Sequence, residues 1–308
     1  MPTRRDFIST LSTAAIVGAV APLATGSSIS KRDRGPICLF SKHLQWMEYE
    51  EMAETAAEIG FDGVSLTVRP RGHVLPENVE RDLPRAVEFL KKAGLKAPMM
   101  TTAITDPTDP RTRAILEVAS DLGIRFYRMG YFKYAQDKRI LDSLAYHKRQ
   151  LSELAALNKE YGIHGAYQNH SGTNVGGPVW DIHHLLDGLD PQWVGCQYDV
   201  RHATAEGGTS WTLGMKLLAP YIKITAMKDF HWIQDGNRWR IHNTPLGEGM
   251  VDFETYSEMT RSLGINGPIS LHFEYDMPHE TNNGDRAEVK KQTIAVMKQD
   301  VDFLKSQL

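Results

Sequence analysis

Polar side chains gather where four short apolar runs of the sequence end. Each run is followed at once by carboxylates, imidazoles, amides or an ammonium group. Burying such groups side by side is costly unless they pair with one another or hold a metal ion. Their types therefore indicate acid–base or metal-assisted chemistry at one location. The four segments are Tyr167-Gln168-Asn169-His170, Tyr198-Asp199-Val200-Arg201-His202, Ala226-Met227-Lys228-Asp229 and His272-Phe273-Glu274-Tyr275.

A repeat of glycines indicates the elements that position these groups. Helical patterns end at Gly60, Gly94, Gly123, Gly162 and Gly264, and each glycine precedes a short apolar run. This order is typical of a left-handed helix cap that leads into a strand. Gly60, Gly162 and Gly264 are separated by 102 residues, so each interval holds three units of about 34 residues, the size of one strand with its helix.

Eight strands are predicted, and eight strand and helix units favour a single-domain (β/α)8 TIM barrel over a doubly wound sheet. No phosphate-binding glycine loop follows the first strand, which supports the same choice. Functional groups of such barrels lie at the carboxyl ends of the strands, so the four polar segments are expected to converge there. The predicted strands are 37–40, 63–68, 97–102, 126–130, 164–169, 194–199, 222–228 and 269–275. The predicted apolar helix faces are Met52/Ala56/Ile59, Leu141/Leu144/Leu151/Leu154 and Val289/Met297/Val301/Leu304.

Residues 1–28 are expected to be a twin-arginine signal peptide. Arg4 and Arg5 precede Phe7, and an apolar stretch over 11–24 follows. That stretch is shorter than the roughly 20 strongly apolar residues of a membrane span, so no span is expected in the mature form. The barrel domain then covers 31–308, and the expected location is the periplasm, reached through the twin-arginine export machinery.

Composition excludes several classes of partner. The 308 residues carry a formal net charge of −3, with 24% charged residues, so no basic field for nucleic acid is expected. Cys38 and Cys196 are too few for a disulfide framework, and both are expected to be buried thiols. A small molecule is therefore the expected partner.

Four motifs resemble those of the sugar phosphate isomerase/epimerase family, a branch of the xylose isomerase-like barrels. The resemblance covers essentially the whole mature chain. It implies a barrel that acts on a saccharide, and because related barrels often pair or form tetramers, a homo-oligomer is one expectation. The motifs are Asp199-x-x-His202, Lys228-Asp229, Pro245-Leu246-Gly247-Glu248-Gly249-Met250-Val251-Asp252-Phe253 and Leu271-His272-Phe273-Glu274-Tyr275.

The resemblance implies a divalent ion held by a Glu, an Asp, a His and a Glu at the ends of the fifth to eighth strands. Asp199 matches the Asp, whereas Gln168 stands in place of the first Glu and Ala226 in place of the His. An amide oxygen still ligates a hard cation. The predicted ligands of manganese, magnesium or zinc are therefore Gln168, Asp199 and His272, with Glu274 beside them.

The resemblance also implies proton transfer at the carbon next to a sugar carbonyl, with two carboxylates as acid and base. Gln168 cannot accept that proton. The predicted catalytic groups are therefore Glu274, Lys228 and His202, since a desolvated lysine ionises near neutral pH. The resemblance also implies that His202 contacts the substrate.

The predicted substrate-binding side chains include aromatic and polar groups near the same strand ends. Segment 229–249 is long for a connection, and aromatics beside a barrel mouth stack on sugar rings and exclude water. A hairpin packed over the barrel rim is the alternative, and one segment can serve both roles. The predicted contacts are His170, Arg201, Trp232 and Glu248.

Three arginines near the ends of the second and fourth strands have two interpretations. Arg69, Arg71 and Arg128 either bind a phosphate or carboxylate, or are merely solvated.

The leading hypothesis is an exported enzyme that abstracts a proton α to a carbonyl of a free or oxidised (keto) saccharide and isomerises or epimerises it. A lyase that eliminates from a keto-glycoside is an alternative on the same site, because elimination needs only one base. A non-catalytic saccharide-binding barrel with a degraded metal site is the third, motivated by Gln168 and Ala226. Endonuclease IV-like DNA repair is disfavoured, since the basic surface it requires is missing.

Overall fold

Eight parallel strands close a barrel in the computed structural model, which describes residues 34–282 and 284–308. The barrel strands are β1 (Ile37–Phe40), β2 (Gly63–Val68), β3 (Lys96–Thr102), β4 (Phe126–Arg128), β5 (His164–Gln168), β6 (Val194–Asp199), β7 (Ile222–Met227) and β10 (Ile269–Leu271). Their order around the barrel is β1, β10, β7, β6, β5, β4, β3, β2. The predicted TIM barrel is thus confirmed, while the predicted leader lies outside the described residues.

The eighth barrel strand is shorter than predicted. The alternating pattern predicted a strand over 269–275, but β10 ends at Leu271. The amide of His272 still donates to the carbonyl of Met227 at 3.0 Å, whereas the amide of Phe273 donates to Nε2 of His43 at 3.0 Å. The chain leaves the sheet there because a side chain, and not the neighbouring strand, accepts the next backbone hydrogen bond.

Ten α-helices accompany the strands within the described residues. The glycines predicted to cap them all have positive φ, between 63° at Gly162 and 97° at Gly60. The helices are α1 (Tyr49–Ile59), α2 (Val79–Lys92), α3 (Pro110–Asp121), α4 (Ile140–Tyr161), α5 (Val179–Leu186), α6 (Val200–Gly207), α7 (Trp211–Leu218), α8 (Phe253–Ser262), α9 (Pro278–Thr281) and α10 (Arg286–Gln307).

The core lies in two layers. The larger layer packs the helices on the outside of the barrel and includes the predicted apolar face of α1 and, from α10, Met297, Val301 and Leu304, while Val289 is buried outside this layer. On α4, Leu144, Leu151 and Leu154 are buried as predicted, but Leu141 is 62% exposed because it lies in the first turn of the helix. The smaller layer comprises Met99, Ala166 and Ile224, from β3, β5 and β7. These are inward-facing residues that fill the barrel.

The long segment after β7 forms the hairpin predicted as one alternative. Strands β8 (Asp229–Asp235) and β9 (Arg238–Thr244) pair antiparallel around a two-residue turn, and Gly236 has a φ of 60° there. Such a turn requires positive φ, which glycine adopts without strain. Its two tryptophans are exposed, Trp232 to 40% and Trp239 to 65%, whereas Phe230 is buried.

Both cysteines are buried free thiols, as predicted. Burial raises the pKa of each thiol above its usual range. Within residues 34–282 and 284–308, no helix is long and apolar enough to cross a membrane.

Candidate active site

The predicted polar groups converge at the carboxyl end of the barrel. Gln168 ends β5, Asp199 ends β6, Lys228 directly follows β7 and Glu274 stands three residues after β10. Alternate residues of a strand face the same side, so Gln168 continues the inward-facing row of Ala166. These groups meet because the closed sheet brings the ends of neighbouring strands together.

Lys228 lies at the centre of this cluster. Its Nζ is 2.7 Å from Nε2 of His202, 3.3 Å from Oδ2 of Asp199 and 3.4 Å from Oε1 of Glu274. The side chains of Lys228 and Asp199 are 3% and 0% exposed, whereas that of Glu274 is 26% exposed. Glu274 is therefore the carboxylate that a ligand entering the barrel mouth reaches first.

Glu274 is held in its ionised form. Burial alone would raise the pKa of its carboxyl, but the charge of Lys228 and the imidazole of His272, whose Nδ1 is 3.8 Å from Oε1, lower that pKa far below its usual range. His272 is the opposite case, because burial lowers the pKa of its imidazole to about 4 despite the nearby carboxylate. Near neutral pH the pair is therefore a carboxylate beside a neutral imidazole.

His202 is also neutral near pH 7. Burial is the largest cause, and the charge of Lys228 is the next; together with His170 and Arg201 they hold the pKa of His202 well below its usual value. A neutral imidazole carries one proton, so one ring nitrogen donates a hydrogen bond and the other accepts one.

The two ring nitrogens of His202 face two cationic side chains. Nη1 of Arg201 lies 2.8 Å from Nδ1, and Nζ of Lys228 lies 2.7 Å from Nε2. A guanidinium only donates hydrogen bonds, so when Arg201 donates to Nδ1 the ring proton is on Nε2. Nζ of Lys228 must then be a neutral amine that accepts a hydrogen bond from Nε2. When Lys228 is instead an ammonium ion donating to Nε2, the ring proton moves to Nδ1 and points at Oγ of Ser171, 2.8 Å away. The contacts thus couple the tautomer of His202 to the protonation state of Lys228.

Asp199 organises this part of the site. Its Oδ1 accepts from the amide of His202 at 3.1 Å, which makes it the N-cap of α6. Its Oδ2 accepts from Nε2 of Gln168 at 2.8 Å. Asn169 fixes its backbone, because the Asn169 side chain accepts from the Asp199 amide at 2.7 Å and donates to its carbonyl at 2.8 Å. The Asp-x-x-His spacing is therefore that of a helix cap that aims the imidazole.

The predicted metal ligands have other partners in this arrangement. The amide of Gln168 turns its nitrogen to Asp199, and its oxygen accepts from the hydroxyl of Tyr131 at 2.6 Å. Nε2 of His272 pairs with Oγ of Ser270 at 3.0 Å. Within the described residues, no group of three His, Cys, Asp or Glu side chains is arranged to hold a metal ion. With Nζ of Lys228 between the two carboxylates, the donor set does not fit a divalent cation.

Three of the four predicted substrate contacts adjoin the cluster or its rim. The ring of His170 lies 3.9 Å from that of His202, centroid to centroid. Arg201 donates through Nη2 to Oδ1 of Asn243 and lies 5.1 Å from the ring centroid of Phe230. Trp232 packs against the other side of the rim, with its ring centroid 6.0 Å from that of Phe230.

Glu248 lies outside the cluster, in a loop that folds around Asp229. The buried carboxylate of Asp229 accepts the amides of Gly247, Gly249 and Val251 at 3.0, 2.9 and 3.1 Å. This wrapping leaves the Glu248 side chain exposed. The Gly-Glu-Gly motif is thus arranged to satisfy a buried acid, a role that sequence reasoning missed because Asp229 and its partners are 18 to 22 residues apart.

Sequence reasoning also missed three polar groups that complete the site. Ser171 contacts Nδ1 of His202, Tyr131 donates to Gln168, and Asn243 bridges Arg201 to the carbonyl of Glu274, to which it donates at 3.0 Å. Ser171 follows a predicted strand end and was detectable in principle. Asn243 comes from β9 of the hairpin, and no local signal marks its approach.

The fold and this cluster define a (β/α)8 barrel with a buried lysine, histidine and carboxylate centre at the carboxyl ends of its strands. Residues 53–307 match the family described as xylose isomerase-like TIM barrel. The chain belongs to that family.

Part of the chain is similar in sequence to a curated enzyme. An inosose dehydratase of Bacillus velezensis is 30% identical over 139 residues, a match that covers 41% of this chain and 45% of the dehydratase. The chain therefore matches less than half the length of that curated relative.

Solved structures agree in fold at low identity. The 3-keto-D-glucoside 4-epimerase of E. coli superposes with a TM-score of 0.65 at 12% identity, covering 89% of this chain and 100% of the epimerase. A xylose isomerase-like TIM barrel protein of Mycobacterium smegmatis in complex with magnesium superposes with a TM-score of 0.61 at 15% identity, covering 89% and 98% of the two chains.

Proposed function

We propose that the protein is an enzyme that moves a proton at the carbon next to a carbonyl of a free or oxidised saccharide. The observation that carries this proposal is the 2.7 Å contact between Nζ of Lys228 and Nε2 of His202, with the buried carboxylate of Asp199 and the partly exposed carboxylate of Glu274 on either side of Nζ. Family membership and the relatives, which include an epimerase and a dehydratase of sugar-like compounds, support it.

Lys228 is the proposed proton carrier. As the neutral amine, with Nε2 of His202 donating to it, Nζ takes the proton from the substrate carbon, and the C–H electron pair forms a C=C bond while the carbonyl pair moves to oxygen. The nearby guanidinium of Arg201 stabilises the resulting enolate charge. Nζ, now an ammonium ion, lies 3.3 Å from Oδ2 of Asp199 and 3.4 Å from Oε1 of Glu274, and these carboxylates balance its charge.

The fate of that proton decides the reaction class. Return to the neighbouring carbon, with a hydroxyl proton passing between the two oxygens, isomerises the sugar, whereas delivery of a proton by a second group to the opposite face of the same carbon epimerises it. Transfer to a departing β-oxygen eliminates the substituent, since the enolate electrons expel it. Elimination is the second candidate because it needs only one proton carrier, and the position of a second carboxylate is held by Gln168. The third, a saccharide-binding barrel without catalysis, predicts no proton exchange at all.

The proposal assigns no step to a metal ion. Related barrels include a magnesium complex, but Oε1 of Gln168, Oδ2 of Asp199 and Nε2 of His272 are engaged by Tyr131, Lys228 and Ser270, whereas Nδ1 of His272 has no hydrogen-bond partner among the described residues. A divalent ion at Asp199 and Glu274 is the alternative, and it requires Lys228 to leave its position.

The test is proton exchange with solvent. We expect the protein, incubated with methyl 3-keto-D-glucoside in deuterium oxide, to place deuterium next to the carbonyl, as followed by proton NMR. Exchange without loss of methanol supports isomerisation or epimerisation, whereas release of methanol supports elimination. The Lys228→Met variant should lose exchange by a factor of about 10² or more. Lys223→Met, on the same strand but outside the cluster, is the matched control.

No exchange with the folded wild-type protein, or equal exchange in Lys228→Met, contradicts the proposal. Binding of the sugar without exchange would favour the saccharide-binding barrel.

We further propose that the protein is exported to the periplasm by the twin-arginine pathway. The support is the pair Arg4 and Arg5 ahead of the apolar stretch. A free or oxidised saccharide fits that compartment better than a sugar phosphate, which is mainly a cytoplasmic metabolite.

A further inference from the structure

Two arginines at the barrel mouth lie apart from the Lys228 cluster. Arg69 directly follows β2, and Arg128 is the last residue of β4. Strand β3 separates β2 from β4 in the barrel, so the two arginines flank one strand. Arg128 is only 5% exposed, and Arg69 is partly buried.

Neither guanidinium has a carboxylate partner among residues 34–282 and 284–308. No Asp or Glu oxygen lies within 4.0 Å of either, whereas Arg34, Arg111 and Arg286 each form such a pair. Arg128 donates only to the carbonyl of Thr102, at 3.4 Å. The buried Nε atoms of Arg69 and Arg128 have no hydrogen-bond partner among the described residues.

Two cations are therefore held near each other without a counter-charge from these residues. Burial is the main cause that lowers the pKa of Arg69, and the charge of Arg128 is the next. Arg71, the neighbouring residue with positive φ, adds to the same effect. Burying unpaired like charges is unfavourable unless an anion completes the site. Arg201 differs, because Asp199 and Glu274 offset its burial.

Aromatic rings connect this pair to the catalytic cluster. The guanidinium carbon of Arg69 is 5.6 Å from the ring centroid of Phe40, and Phe40 stacks on His272 at 4.3 Å. The guanidinium carbon of Arg128 is 4.9 Å from the ring centroid of Tyr131, whose hydroxyl contacts Gln168. Each arginine is thus separated from a residue of the cluster, His272 or Gln168, by a single aromatic ring.

We propose that Arg69 and Arg128 form a subsite for an anionic group, a carboxylate or a phosphate monoester, on the saccharide that the enzyme converts. A guanidinium binds either group through paired, charge-assisted hydrogen bonds. Substrates of this class are uronates and other sugar acids, or sugar phosphates. The orientation of the sugar toward Lys228 rests on the proposed function, but the anion subsite itself does not.

Calorimetric titration with D-glucuronate, D-glucose 6-phosphate and D-glucose tests the proposal, because the three share a pyranose ring and differ at one carbon. At low ionic strength, at least one of the two anions should bind about tenfold or more tightly than glucose. Tighter binding of D-glucuronate indicates a carboxylate subsite, and tighter binding of D-glucose 6-phosphate indicates a phosphate subsite. Added salt should weaken the binding of the preferred anion.

Variants locate the binding. Arg69→Met and Arg128→Met should each remove most of the preference for the anion while leaving the affinity for glucose unchanged, and Arg128→Lys should keep part of it. Arg125→Met is the matched control, since Arg125 is exposed and stands at the other end of β4. Circular dichroism and thermal unfolding establish that each variant is folded.

Equal affinity for the three ligands, the absence of anion binding, or an anion preference that survives in the folded double variant would overturn the proposal. Because binding is measured and not turnover, the result is independent of the exchange experiment. A protein that binds the anion but exchanges no proton keeps the subsite and loses the proposed catalytic function.

Discussion

The amine of Lys228 and the ring of His202 form a coupled pair, with Nζ and Nε2 2.7 Å apart and Arg201 on the opposite nitrogen of the ring. A lysine that loses its proton needs a donor, and a histidine that accepts from an arginine supplies one. The pair therefore accommodates both protonation states of Lys228 with one change of tautomer. This coupling is the property that suits the site to proton transfer.

The coupling predicts a strong effect of removing both ring nitrogens of His202. His202→Phe should lower the rate of solvent deuterium exchange by a factor of about 10² to 10⁴, with an altered pH profile, because the amine form of Lys228 loses its donor. Initial rates measured by NMR between pH 6 and 9 check this. His170→Phe is the comparison, since that ring packs on His202 while its Nδ1 contacts the carbonyl of Ser171 and not Lys228. This variant should affect KM more than kcat. Equal losses of kcat in both variants would contradict the coupled pair.

The position of Lys228 predicts weak binding of divalent cations. Titration of the chelator-treated protein with Mn²⁺, followed by electron paramagnetic resonance, should show no stoichiometric site near the micromolar range typical of protein metal sites. Exchange activity should survive treatment with a chelator. In Lys228→Met the two carboxylates lose their cation, so Mn²⁺ affinity should rise. A stoichiometric Mn²⁺ site in the wild-type protein, lost in Asp199→Ala, would count against Lys228 as the cation between the two carboxylates.

Asp229 is predicted to be a main determinant of stability at the barrel rim. Its carboxylate accepts the amides of Phe230, Gly247, Gly249 and Val251, and Asp229 is 1% exposed. Asp229→Ala leaves these buried donors without a partner, so the free energy of unfolding should fall by about 3 to 5 kcal/mol.

Urea denaturation measures this loss of unfolding free energy, and Asp252→Ala is the variant with which it is compared. Asp252 is a solvent-exposed N-cap that accepts the amide of Thr255 at 2.9 Å, so its removal should cost only about 1 kcal/mol. A loss in Asp229→Ala no larger than that of the cap variant would be incompatible with the arrangement.

Asp300 predicts a dependence of stability on pH. Burial raises the pKa of its carboxyl to about 7, although Tyr275 and the amide of Leu246 donate to it. The folded protein thus binds this proton more tightly than the unfolded chain, so between pH 4 and pH 7 the contribution of Asp300 to stability falls as pH rises. The full change is about 4 kcal/mol.

Asp300→Asn isolates this contribution. Its free energy of unfolding, minus that of the wild-type protein, should increase from pH 5 to pH 8 in urea denaturation. His272 has the opposite effect, because its lowered pKa makes the free energy of unfolding increase with pH up to about 6.5. His272 is present in both proteins, so the subtraction removes its contribution. A pH-independent difference would show that Asp300 titrates normally.

The export proposal predicts that the two arginines of the leader act together. With Arg4 and Arg5 both replaced by Lys, the protein should remain in the cytoplasm as the uncleaved precursor, because the pathway reads the arginine pair. Cell fractionation and immunoblotting check this, and Lys31→Arg, outside the leader, is the control. Periplasmic recovery of the double variant at wild-type levels would refute the proposal.

The barrel was predictable from the sequence because its signals are local. Glycine caps act through the conformation of one residue, and the apolar runs of β1, β2 and β6 were located to the residue. The prediction failed where a distant side chain intervened. β10 ends early because His43, 230 residues away in sequence, accepts the amide of Phe273.

The sequence by itself determined which chemistry-bearing residues stand at the ends of the strands, since strand ends follow from local patterns. Only the tertiary structure decided their partners. It placed Lys228 between Asp199 and Glu274, where a metal ion was expected, and it turned the loop of Glu248 around Asp229. Partner choice depends on which groups share a small, poorly solvated space, and that is a property of barrel closure and not of any one segment.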